Sequence, residues 1–470
     1  MMKSNTDSRV KSSFRDPSGF IFKRDGEIYR QINQFYQQDY DFFLSSGLMQ
    51  ELIKRKMLLP YTEVEISPYN SELHYKTIKP EQIDFISYPY EWAFSQYRDA
   101  AIQTLRILKI ALQFGMVLKD ASAYNIQFVG NHPVLMDTLS FARYQEGKPW
   151  VAYRQFCQHF LAPLALMSKV DVNLNKLMLT YIDGIPLDLA SKLLPLTSRL
   201  NFGISAHIHL HSLALKKYTN EDETRSQKIN SFSKNSLIGL IDSLANTVKK
   251  LKWQVKGENW SDYYQSTNYS EPSFDAKQKI VSDLLHRIQP ATVWDLGANT
   301  GVFSKLAKEI PGCQVISSDY DPEAVEKNYL DCKKNKLSNI HPLVLDLINP
   351  SPAIGWGNEE RQSIFQRGPA DVVMALALIH HLAISNNLPL SYISKTFARM
   401  AANLIIEFVP KEDSQVKRLL SSRDDIFDTY HKEGFLHAFL QDFDLQEEIH
   451  VEGTERTVFW FSRKNNFAIE

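Results

Sequence analysis

The chain has 470 residues, 44% hydrophobic and 23% charged, a composition of folded domains at a length that exceeds one ordinary core. With 53 basic against 54 acidic side chains the formal net charge is −1, which excludes a general electrostatic attraction to nucleic acid or an anionic membrane. Three scattered cysteines, Cys157, Cys313 and Cys332, match no metal-site spacing and fit a reducing compartment.

In chain order, residues 1–16 are polar and lack the apolar stretch of a signal peptide. No apolar run reaches the roughly 20 residues of a spanning helix. The best of them, 372–384, is broken by His380 and His381. A cytoplasmic protein without a membrane span is therefore expected. Short β-like segments at 19–23, 28–32, 61–66 and 84–88 precede a helical segment at 92–114. Two short apolar segments follow at 125–129 and 133–136, and helical patterns run on to about residue 215. Residues 1–215 thus read as an α+β domain.

Within it, GMVLKDASAYNIQFVGNHPVLMDTLSF sets Asp120 and Asn125 in a loop after a helix, and Asp137 at the end of the second apolar segment. This resembles the catalytic loop and metal-binding aspartate of protein-kinase-like and aminoglycoside-phosphotransferase-like enzymes. The resemblance implies that Asp120 orients an acceptor hydroxyl while Asn125 and Asp137 hold magnesium beside ATP, with 86–94 as the inter-lobe hinge. Leu118 and Lys119 stand where that family has His-Arg, and Asp137 precedes Thr-Leu in place of Phe-Gly. No glycine-rich phosphate loop is evident, and Arg30 and Lys54 are the candidates for the phosphate cation. These departures favour a degenerate, acceptor-recruiting domain over an active phosphotransferase.

In SAHIHLHSL, His207 and His211 share a helix face, but no companion glutamate supplies a zinc ligand set, and a packing role is expected. Residues 216–233 are polar and charged, a linker signal. A helix at 236–253 follows, with Leu237, Ile241, Leu244, Val248 and Leu251 on one stripe, expected to pack onto the second domain. Residues 216–262 form this connection, and a second domain occupies 263–470.

There the pattern alternates strand and helix, which predicts a parallel sheet covered on both faces. Apolar strands are expected at 292–296, 314–318, 342–345, 372–376 and 402–408, with an antiparallel pair at 445–452 and 456–461. The first strand runs into DLGANTG, a tight turn that lets backbone N–H groups approach a ligand. It is not the Gly-x-Gly-x-x-Gly of dinucleotide enzymes. Asp319 ends the second strand, placed to accept ribose hydroxyls, and Asp346 ends the third, placed for an adenine amino group. The fourth strand yields at Ala375 to a segment bearing His380 and His381. Asp321, before Pro322 and a helical pattern, reads as an N-cap.

DLGANTG, SDYDP, LVLDL and ALALIHHL, in that order, resemble the motifs of class I S-adenosylmethionine-dependent methyltransferases over roughly residues 263–463. The resemblance implies a Rossmann-like seven-stranded α/β sheet. By it, Asp295, Gly297, Asn299 and Gly301 hold the amino-acid part of the cofactor, Asp319 the ribose and Asp346 the adenine, with Ala375, where the chain leaves the fourth strand, also among the cofactor-binding residues. Asn299 replaces the usual middle glycine. His380, His381 and Glu407 are the candidates for a general base, needed only where the acceptor must lose a proton. The expected function is methyl transfer to an acceptor not readable from the sequence, with nucleic acid disfavoured by charge. The alternatives are a bifunctional kinase–methyltransferase acting on a saccharide or other hydroxyl, and a non-catalytic cofactor-binding scaffold.

Overall fold

A computed structural model describes residues 7–213, 232–253, 271–421 and 423–467. Most of the expected linker, and the start of the second domain at 263, lie outside the described residues. The chain forms two compact units, 1–253 with 353–361, and 254–352 with 362–470. A nine-residue segment, Ala353–Arg361, thus belongs structurally to the unit from which it is remote in sequence. Among the described residues no helix is long and apolar enough to cross a membrane.

The first unit begins with a five-stranded antiparallel sheet in the order β1-β2-β3-β5-β4: Ser8–Arg9, Gly19–Arg24, Glu27–Asn33, His74–Pro80 and Tyr61–Glu63. Residues 84–88, expected to be β-like, form no strand. The missing strand is β5, whose lysines and half-buried flanks hide its pattern, while Thr77 and Ile78 are buried. The helix Phe94–Gln113 buries most of its length. Two pairings then frame the loop that follows it: β6 (Met116–Leu118) with β9 (Phe141–Arg143), and β7 (Ile126–Val129) with β8 (His132–Leu135).

The helix Lys234–Lys250 carries the expected apolar stripe, but that stripe packs in the first unit, against the Phe94–Gln113 helix. Periodicity shows that a face is buried, not what buries it. Leu237, Ile241, Leu244 and Val248 are at most 1% exposed, each worth about 1.5–3 kcal/mol of burial. Lys109 adds an ion pair to Asp242 at 2.7 Å.

The second unit is a seven-stranded α/β sheet in the order β12-β11-β10-β13-β14-β16-β15. Its parallel strands are β10 (Thr292–Leu296), β11 (Gln314–Asp319), β12 (Ile340–Val344), β13 (Ala370–Ala375) and β14 (Ala401–Phe408). β15 (Phe443–His450) and β16 (Thr457–Arg463) close one edge antiparallel. β10 is flanked by β11 on one side and β13 on the other, so the strand order reverses there and a crevice opens beyond the strand ends. One face is covered by the helix Glu271–Ile288, whose Val281, Leu284 and Leu285 join Val293, Val315, Val372 and Ile405 in a single core.

Candidate functional site

The turn after β10 is held by backbone bonds. Gly297 and Ala298 both donate to the Ser318 carbonyl, at 2.8 and 2.9 Å, and Gly301 donates to that of Ala298. Gly297, Asn299 and Gly301 all have positive φ, at 74°, 54° and 76°. Asn299 tolerates this because its Oδ1 accepts from Thr300 N at 2.7 Å. A Cβ on Gly301 would stand 2.6 Å from the Asn328 amide, so only glycine lets the chain pass there. Asn328 Nδ2 in turn donates to Ser317 Oγ, and Ser304 Oγ lies 2.7 Å from that oxygen and 2.6 Å from Asp295 Oδ2. Burial raises the Asp295 carboxyl to about 7, with the Ser304 hydroxyl opposing the rise and the Asp319 charge adding to it.

Asp319 ends β11 with backbone N–H groups on both oxygens. Asn299 N donates to Oδ2 at 2.8 Å and Asp321 N to Oδ1 at 2.9 Å. Burial lifts its pKa while those N–H groups hold it down. Each oxygen keeps acceptor capacity for a ligand hydroxyl. Asp321 caps the next helix through Glu323 N, as its sequence context indicated. Asp346 follows β12 half-buried, holding Ile348 N at 2.9 Å, and Ala375 ends β13 fully buried. The structure therefore gathers all seven of these residues at one end of one sheet.

The base candidates differ among themselves. His380 is buried, its Nδ1 meets no partner among the described residues, and its ring lies 4.2 Å from that of His381. Burial, His381 and Arg456 pull its pKa down to about 3, so it is a neutral imidazole. His381 opens a short π-helical turn, His381–Ser385, and is exposed. Glu407 is fully buried, accepts from Lys277 Nζ at 2.7 Å and lies 3.7 Å from Arg456. Arg456 also donates to Asp413 at 2.8 Å. Lys277 and Arg456 were missed in the sequence. Lys277 had a signal, since it occupies the apolar stripe position one turn before Val281; Arg456 had none.

In the first unit, Asp120, Asn125 and Asp137 also meet. The Asn125 amide bonds Asp120, whose pKa burial and the Asp137 charge push up. Asp137 is paired with Arg30 on one oxygen and bonded by Ser140 Oγ on the other. Burial works against its charge, and the Arg30 guanidinium and Ser140 hydroxyl nevertheless hold it below the usual carboxylate range. Lys54 is exposed at the end of its helix and does not join them. His207 lies between Tyr153 Oη and Ser243 Oγ, His209 between Ser191 and Ser198, and His211 stacks on Tyr153. Each histidine has its own partners.

No family model matches the chain. Among solved structures, the chain is similar to the methyltransferase domain of bacterial CtHen1, at 14% identity over 41% of this chain and 98% of that one, TM-score 0.31. It is also similar to the bifunctional kinase–methyltransferase WbdD, at 14% identity over 44% of this chain and 43% of that one, TM-score 0.30. Among curated proteins it is 33% identical to nodulation protein NoeA of Rhizobium meliloti (strain 1021) over 468 residues, 97% of this chain and 96% of that one. Identity of that order along nearly the whole of both chains places this protein in the NoeA family.

Proposed function

We propose that this protein is an S-adenosylmethionine-dependent methyltransferase whose first unit recruits the acceptor. The observation that carries this is the convergence of a positive-φ loop, a carboxylate at the tip of β11 and another after β12 on the crevice side of the sheet. The residues fit the cofactor. A nucleoside needs an acceptor for its ribose hydroxyls, which Asp319 provides. An amino-acid tail needs close backbone approach, which Gly297 and Gly301 permit. When bound, the cofactor supplies an activated methyl group on a sulfonium centre. The protein's share is then alignment and the exclusion of water. His380 is neutral, but a ring pushed down to about 3 is a weak proton acceptor, and Glu407 is tied to Lys277, so the geometry favours an acceptor that needs no strong base.

Calorimetric titration of S-adenosylhomocysteine into the wild type and into Asp319→Ala tests this. Binding lost in the variant is the expected result. A folded wild type that does not bind overturns the reading, and binding without turnover on any acceptor in a cell extract would favour a scaffold.

The order of elements in the first unit, with Asp120, Asn125 and Asp137 gathered around one loop, supports a kinase-like fold there. The donor set does not fit magnesium, because both oxygens of Asp137 are engaged by Arg30 and Ser140. Magnesium-dependent ATP hydrolysis abolished by Asp137→Ala would reverse that and favour a bifunctional enzyme.

A further inference from the structure

Side chains alternate along a strand, so Asp295 shares a face with Val293 on β10, and Glu407 shares one with Ile405 on β14. Val293, Val372, Met374 and Ile405 pack with Val281, Leu284 and Leu285 of the Glu271–Ile288 helix. Both carboxylates therefore end up under that helix, on strands separated by β13. One turn before Val281 stands Lys277, 2% exposed. Its Nζ donates to Glu407 Oε2 at 2.7 Å and lies 4.7 Å from the centroid of Phe303, two residues beyond Gly301. Its charge also reaches Asp295. Taking the ammonium out of water pulls its pKa down, and Glu407 opposes this.

The amino-acid tail of the proposed cofactor carries one ammonium and one carboxylate, and a water-poor crevice must answer both. Asp295 and the turn suit the ammonium. The buried cations described in this unit are Lys277, Lys327 and Arg456. Lys327 pairs with Glu323 along its own helix, and Arg456 is committed to Asp413. Lys277 is the one beside the glycine turn.

We infer that Lys277 receives the carboxylate of the cofactor's amino-acid tail, exchanging its bond to Glu407 for one to the ligand. Glu407 then keeps Arg456 as its counter-charge. This rests on the methyltransferase reading and assigns the end of the ligand that Asp319 and Asp346 do not serve.

The test compares S-adenosylhomocysteine with its decarboxylated form, which lacks only the tail carboxylate. Affinities are measured by calorimetry on the full-length wild type, on Lys277→Met, and on the doubly neutral Lys277→Met/Glu407→Gln, which leaves no unpaired carboxylate if the single variant misfolds. The wild type should prefer S-adenosylhomocysteine by about tenfold or more, and both variants should lose that preference while still binding the decarboxylated ligand. Lys277→Arg should restore most of it. A preference that survives in the variants, or is absent from the wild type, overturns the assignment, and so does equal loss of both ligands, which marks a purely structural lysine. A folded wild type that binds neither ligand instead overturns the cofactor reading itself.

Discussion

Asp137 in the first unit and Asp319 in the second are both carboxylates at the end of a short strand, and their surroundings are built in opposite ways. Asp137 is answered chiefly by side chains, the Arg30 guanidinium and the Ser140 hydroxyl, with one longer backbone bond from Leu139 N at 3.3 Å. Asp319 is answered by backbone, through Asn299 N and Asp321 N. A guanidinium neutralises the charge and covers the oxygen it touches. A backbone N–H leaves the charge in place and the remaining lone pairs open. The same residue type is thereby closed in one unit and presented in the other, and the partners, not the aspartate, decide which.

The largest effect expected from this contrast is at Arg30. Arg30→Met leaves Asp137 charged with little solvent, and should cost about 3 kcal/mol in denaturant unfolding of the first unit. Adding Asp137→Asn should recover most of it. A single variant as stable as the wild type would mean that Asp137 does not depend on its partner. Next is the turn that frames Asp319: Gly301→Ala forces a β-carbon onto Asn328 at a φ of 76°. A loss of about 2 kcal/mol in thermal unfolding and of S-adenosylhomocysteine binding is expected.

Asp295 sharpens the contrast through pH. Burial lifts its carboxyl to about 7, whereas an unfolded chain titrates it near 4. Between those values the folded protein holds a proton that the unfolded chain has released. The group's contribution to stability is therefore full below about pH 4 and declines as pH rises through 7, by up to about 1.4 kcal/mol per pH unit. Asp295→Asn should flatten that part of the stability–pH curve, and an unchanged slope would place the titration elsewhere. The smallest effect belongs to Asn299→Gly. Relief of a left-handed residue and loss of the bond from Thr300 N nearly cancel, leaving stability within about 1 kcal/mol of wild type.

The parallel strands of the second unit were readable because a strand buried on both faces must be a short, nearly all-apolar run. The observed β10, β11 and β14 match the expected segments to within a residue at either end. The glycine turn and Asp319 were readable for a local reason, since positive φ and strand ends leave marks within a few residues. The pairing of Lys277 with Glu407, 130 residues away, leaves no such mark. Nor did β5, β6 and β9, which are short or interrupted by lysines, and whose identity comes from the strands beside them. Arg30 was named as a possible phosphate cation, and the structure instead sets it on the aspartate.

The Ala353–Arg361 segment has a consequence for how the protein is made. Glu360 receives both arms of the Arg15 guanidinium, at 2.9 and 2.7 Å, and Arg361 lies 4.2 Å over the ring of Tyr124 in the Asp120–Asn125 loop. During synthesis the first unit therefore cannot be completed when its own stretch of chain leaves the ribosome. It waits for about a hundred further residues, by which time β10, β11 and β12 have also emerged. A gene cut at the linker would yield a first fragment lacking one of its own pieces, so the two halves cannot be exchanged between proteins as independent cassettes.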